Sequence, residues 1–180
     1  MSVHVDTVHV VNLDGVPGGV VRRVQDSVGA GLGLLVVDGE VDFDPELAWD
    51  GARGQYNSSV LLQELGRVAR GAGDRVLGIA QADLFIPVLT FVFGEAHLNG
   101  PAAVISVHRL SPGFYGLPPN PALVEQRAAI EAVHELGHTF GLVHCPDYRC
   151  AMHASHSAEE IDLKLPAYCD ACRADASLYG

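Results

Sequence analysis

Residues 134–145, HELGHTFGLVHC, constrain the local geometry of this chain more than any other short stretch. On an α-helix the step from His134 to His138 turns by about 400°, so the two imidazoles overlay within about 40° on one side. Glu135 falls one position round from His134, beside whatever the imidazoles hold but not in line with them. His144 lies six residues further on, about 600° round, and cannot share that side if the helix continues. The helix must therefore stop. Gly141 is where it can, because glycine takes the left-handed conformation at a helix C′ position without a Cβ penalty. The chain can then bring His144 back towards the other two.

Three neutral imidazoles with a fourth position open to water form the ligand set of a catalytic zinc site, which lowers the pKa of bound water to about 7. In that setting Glu135 is a general base acting on the zinc-bound water and not itself a ligand. His134, His138 and His144 with Glu135 thus point to a zinc hydrolase. The plainer alternative is a helix carrying surface histidines, since the chain has nine of them. Gly141 and His144 at their offsets favour the metal. The remaining histidines, His4, His9, His97, His108, His153 and His156, have no comparable ligand spacing and read as structural or exposed, although His153 and His156 flank the motif.

All four cysteines lie downstream of His138, as Cys145, Cys150, Cys169 and Cys172. The short-spaced pairs CPDYRC and CDAC resemble the paired knuckles that hold a structural zinc in a tetrahedron of thiolates. The alternative is two disulfides, which a cytoplasmic chain would disfavour. Neighbouring side chains on a turning backbone point to different sides, so His144 and Cys145 are assigned to different zinc ions. The cysteine site would then pin the segment that carries His144.

HELGHTFGLVH matches the HExxHxxGxxH pattern of metzincin metallopeptidases. With the cysteine directly after the third histidine, CPDYRCAM and the terminal CDAC, the chain resembles the archaemetzincin family. The segment DLFIPVLTFVFGEAHLNGPAAVISVHRL also resembles the strand region before the active-site helix of that family, so the likeness spans residues 75–175. It implies two zinc ions per chain, a peptide or protein substrate, and hydrolysis in which Glu135 takes a proton from water and passes it to the leaving amine. It further implies that Met152 underlies the zinc ligands and that an edge strand within LTFVFGEAHL aligns the substrate. Tyr115, Tyr148 and Tyr168 are candidate oxyanion donors. Two other functions stay open. A non-hydrolytic zinc-stabilised binding module would have no need of Glu135, and a zinc peptidase of another clan, with Glu159 or Glu160 as third ligand, would have no need of Gly141 and His144.

The rest of the chain is consistent with one compact catalytic domain: 180 residues, 48% hydrophobic, can bury a sizeable core. Its longest apolar runs, LGLLVV and AAVISV, fall far short of the roughly 20 residues of a membrane span. MSVHVDTVHV lacks the basic-then-apolar pattern of a secretory leader, so a cytoplasmic monomer with no pro-segment is expected. A net charge of −11, with one lysine among eleven basic residues, speaks against nucleic acid as a partner.

SVHVDTVHVVNL, LGLLVVDGEV, RVLGIAQADL, LTFVFGEAHL and AAVISVHRL read as strands. VPGGVVRRVQDSVGAGL is a helix with Val20, Val21, Val24 and Val28 on one side. NSSVLLQELGRVARGAG is a second helix, capped by Asn57 or Ser58 and turning Leu61, Leu62, Leu65 and Val68 to a core. The motif helix starts near Pro121, capped by Asn120, after the loop SPGFYGLPPNP, a segment of the kind that shapes specificity pockets. The order βαβαβββα predicts an α/β (α+β) fold: a metzincin-like, mixed, mostly parallel five-stranded twisted sheet with two backing helices and an active-site helix, plus a small C-terminal zinc-stabilised subdomain. Residues 1–141 would form the upper part, and residues 142–180 the lower one.

Overall fold

The computed structural model describes residues 6–69, 71 and 73–176. His4 and the first residues of the expected opening strand lie outside them. In chain order the elements are β1 (Thr7–Asn12), α1 (Gly18–Leu32), β2 (Leu35–Asp38), β3 (Trp49–Asp50), β4 (Gln55–Asn57), α2 (Ser58–Val68) and β5 (Arg75–Ala80). There follow β6 (Leu84–Phe85), β7 (Gly94–Ala96), β8 (Ala102–Ser106), α3 (Pro121–Thr139), α4 (Ala158–Ile161) and α5 (Asp170–Asp175).

Five strands form one sheet in the order β2-β1-β5-β8-β7. Four run parallel, and β7 pairs antiparallel with β8, which its short connection permits and a parallel crossover would not. The mixed, mostly parallel five-stranded sheet expected from the element order is therefore present. β8 is buried throughout and β5 from Val76 onward, because both faces of the sheet are covered. Val10, Leu77, Ile79, Ala103 and Ile105 pack under α1 and α3. Val11, Val76, Ala80, Ala102 and Val104 point the other way, towards Leu61, Leu62 and Leu65 of α2.

The helices obey the patterns that announced them. Val20, Val24, Val28 and Leu32 are buried along α1, and half-buried Val21 packs beside them. Asn57 caps α2 by accepting from Ser59 N at 3.1 Å. Asn120 caps α3 by accepting from Leu123 N at 3.2 Å, with Pro121 in the first turn, where a missing N–H costs nothing.

Some expectations need correction. LTFVFGEAHL yields only the three residues of β7, because Val92 bridges instead to Leu84. α2 stops at Val68, before the glycine-containing ARGAG. A second sheet, β3-β4-β6, was not anticipated: strands of two or three residues carry too little alternation to read.

Beyond α3 the chain crosses beneath the helix. Met152, Ile161, Tyr168 and Cys172 join the same apolar cluster as α1 and α3. Arg127 of α3 fastens this segment by a bidentate pair to Asp162, both contacts 2.7 Å.

Candidate active site and metal centres

α3 ends where the motif requires. Leu142 N donates to Gly137 O and Gly141 N to His138 O, both at 3.0 Å, with Gly141 at φ +87°. These are the two bonds of a Schellman termination, with Gly141 at C′. The reversal returns His144 to His134 and His138: the ring centroids stand 4.8, 5.2 and 5.3 Å apart.

Each helical imidazole is oriented by a carbonyl. His134 Nδ1 lies 2.7 Å from Ala151 O, and His138 Nδ1 lies 2.8 Å from Leu142 O. A carbonyl only accepts, so Nδ1 carries the proton in both rings and each Nε2 presents a lone pair. The two Nε2 atoms are 3.2 Å apart, an unfavourable meeting of lone pairs unless a cation lies between them. Tetrahedral zinc with bonds of about 2.0–2.1 Å would set its nitrogens about 3.3–3.4 Å apart, so the spacing fits that ion. Burial, and after it the Lys164 ammonium, push the His134 imidazole down to about 3. Burial also lowers His138 and His144. All three rings therefore offer a metal the neutral form it needs.

Glu135 is buried, and its carboxyl lies well above the usual range because of that burial and then the neighbouring Glu131 and Glu95 carboxylates. It reaches this place because β7 has a glycine opposite. A Cβ on Gly94 would stand 2.7 Å from Glu135 Cγ. Gly94, His134, Glu135 and His144 all border both lobes of an open cleft. The lobe of about 430 Å³ lies between residues 89–94 and residues 154–156, while the other, about 440 Å³, reaches Leu98 and Val143.

The four cysteine Sγ atoms lie within 4.8 Å of one another, and none is in a disulfide. Cys145 and Cys169 are 3.8 Å apart, the edge of a tetrahedron with Zn–S bonds of about 2.3 Å. Cys169 N donates to Cys150 Sγ at 3.3 Å, and Asp147 N to Cys145 Sγ at 3.4 Å, as N–H groups do around thiolates. Among the described residues these are the two groups able to hold a metal ion, and neither Glu159 nor Glu160 belongs to either.

Met152 is fully buried and its thioether lies against Gly137, on the helix turn between His134 and His138. The tyrosine candidates fare differently: Tyr168 donates to Val133 O at 2.9 Å inside the core, Tyr115 to Arg109 O at 2.9 Å, and Tyr148 is exposed. None borders either lobe. The loop SPGFYGLPPNP does not shape the cleft either; Ser111, Pro119 and Pro121 line a separate groove with Pro17 and Val20. The cleft wall is instead residues 89–94.

That wall is braced by residues not singled out in the sequence. Arg109 makes a bidentate pair with buried Asp83 at 2.8–3.0 Å and stacks 4.1 Å over Phe91. Gln55 Nε2 donates to both Asp83 Oδ2 and Thr90 O. His156 also reaches the cleft, whereas His153 Nδ1 bonds Cys145 O at 2.7 Å.

Comparison with known proteins agrees with this geometry. Residues 45–177 match the model of "Peptidase family M54". Over 153 residues the chain is 41% identical to the archaemetzincin of Methanocaldococcus jannaschii, covering 85% of this chain and 83% of that one. It is 44% identical, with the same coverage, to the archaemetzincin of Methanopyrus kandleri. The crystal structure of the latter superposes with a TM-score of 0.79 at 42% identity, covering 94% and 91% of the two chains. A zinc-dependent peptidase from Methanocorpusculum labreanum superposes with a TM-score of 0.84 at 28% identity, covering 93% and 98%. No helix among the described residues is long and apolar enough to cross a membrane. With most of its length inside the family model and relatives this similar, the chain belongs to peptidase family M54, the archaemetzincins, and is a zinc metallopeptidase.

Proposed function

We propose that the chain hydrolyses peptide bonds at the cleft, with His134, His138 and His144 holding one catalytic zinc and Cys145, Cys150, Cys169 and Cys172 holding a second, structural one. Zinc at the histidines supplies a Lewis acid that polarises the scissile carbonyl and acidifies water. Glu135 accepts the proton of the attacking water and delivers it to the departing amine. Its enclosure between α3 and β7 leaves the carboxylate few orientations. β7 ends the sheet, so its outer edge can pair with an extended peptide laid along the cleft. Residues 1–141 form the upper wall in this reading, and residues 142–180, pinned by the cysteine site, the lower one. The protein acts as a cytoplasmic monomer on peptide or protein substrates.

The observation that carries this reading is the meeting of three imidazoles beside the buried Glu135 carboxyl in an open cleft. Metal quantification of wild type, Glu135→Ala and His144→Ala, with a peptide-library cleavage assay, tests it. Two zinc ions falling to one in His144→Ala, with cleavage lost in Glu135→Ala, is the expected result. Cleavage surviving Glu135→Ala would remove the mechanism.

A further inference from the structure

The chain has one lysine, Lys164, and its side chain is wholly enclosed. An isolated ammonium in such a place costs several kcal/mol, so its partners explain its presence. Nζ reaches three oxygens: His153 O at 2.9 Å, Ala151 O at 3.3 Å and Glu131 Oε1 at 3.4 Å. An ammonium has three N–H bonds, and here each has one acceptor.

These acceptors come from two separate pieces of chain. Glu131 stands on α3, one turn before His134. Ala151 and His153 flank Met152 in the turn beneath the histidines. Ala151 O is also the carbonyl that receives the Nδ1–H of His134 at 2.7 Å. One oxygen is thus shared between the buried cation and the ring whose tautomer it sets. A methionine or leucine would fill the same volume without burying charge, and such replacements are often neutral or stabilising, so space-filling does not account for the lysine.

We propose that Lys164, paired with Glu131, is a positioning residue of the histidine metal site. It clamps the 151–153 turn to α3, so that Ala151 O holds His134 in the tautomer that leaves Nε2 free for the ion. The proposal rests on the assignment of His134, His138 and His144 to the catalytic zinc. Ala151 O is the group hydrogen-bonded to the ring itself, groups so placed typically contribute about 10–100-fold to metal affinity or activity, and Lys164 acts through it.

Lys164→Met and the double variant Lys164→Met/Glu131→Gln test the clamp. The double variant removes the carboxylate that the single one strands. Zinc affinity of the histidine site is measured by chelator competition, with zinc at the cysteines as the control for an intact fold. The tautomer of His134 in metal-free protein is read from long-range ¹H–¹⁵N spectra. The expected result is histidine-site zinc held roughly 10–100-fold more weakly in the double variant, unchanged zinc at the cysteines, and loss of the single Nδ1–H form. Wild-type affinity and tautomer in the double variant would overturn the proposal, by reducing the pair to charge compensation. Loss of both metals in the double variant would overturn it as well, since Lys164 would then support the whole fold. Failure of the site assignment is a separate result: wild-type protein holding one zinc that His144→Ala leaves in place.

Discussion

Gly94 and Glu135 pack against each other beside the cleft so closely that a single Cβ on Gly94 would lie 2.8 Å from Glu135 Oε1. The same carbon would lie 2.8 Å from Val104 O, where backbone cannot yield as a side chain can. Gly94→Ala should therefore displace the carboxylate and loosen β7 from β8. Small misplacements of a reacting group cost about 10²-fold in rate, and overpacking costs about 1–3 kcal/mol. We expect kcat to fall on that scale with the zinc content unchanged from wild type. Full activity in Gly94→Ala, measured beside metal content, would show that the carboxylate has more freedom than its surroundings suggest.

His134 should make the metal-free protein sensitive to acid. Its folded-state pKa is pushed from 6.5 down to about 3, so between these values the unfolded chain binds a proton that the folded one refuses. The stabilisation is present above pH 6.5 and is lost as pH falls towards 3. From pH 6.5 to 5 the loss is at most about 2 kcal/mol. Denaturant unfolding of chelator-treated protein at pH 7.5 and 5, in wild type and His134→Asn, reads it. An equal loss in both would assign the acid sensitivity to other groups.

What could be read in advance was what repeats locally. His134, Glu135 and His138 follow from helical rotation, Gly141 from the need to end that rotation, and the cysteine quartet from short spacings. α1 and α2 followed from valine and leucine periodicity. The supports of the site were not legible, because each joins positions far apart: Gly94 to Glu135, Lys164 to Glu131, Asp83 to Arg109 and to Gln55. Nothing in a run of polar and apolar residues marks which distant residue will lie opposite. The cleft wall was misjudged for a related reason: the Pro- and Gly-rich loop at 111–121 looks like a pocket former, yet it sits at the far end of α3 from the histidines.

The brace of the wall should reveal itself through Arg109. Arg109→Ala leaves the Asp83 carboxylate, 7% exposed, with only Gln55 as a side-chain donor and uncovers Phe91. Breaking a buried pair from one side costs about 3–5 kcal/mol, and the lower end applies because Arg109 is itself 20% exposed. Arg109→Met/Asp83→Asn should recover part of the loss. Thermal unfolding checks the stability, and a rise in KM larger than the fall in kcat is expected if residues 89–94 contact substrate. Unchanged melting in Arg109→Ala would dismiss the brace.

Cys145 links the cysteine cluster to the histidine cluster by a short backbone path. Its N–H donates to Met152 O at 3.0 Å, its carbonyl accepts from His153 Nδ1 at 2.7 Å, and His144 immediately precedes it. Cys145→Ser should release this segment and weaken zinc at the histidines by about 10-fold, the size of effect that groups supporting a metal ligand have elsewhere. Cys172→Ser removes a thiol of the same cysteine cluster from α5, far along the chain from His144, and should do the same if the pinning acts through the assembled cysteine site. Chelator competition on both variants decides the matter. Weakening in Cys145→Ser alone would confine the effect to the local backbone, and weakening in neither would make the two centres independent despite their shared strand of chain.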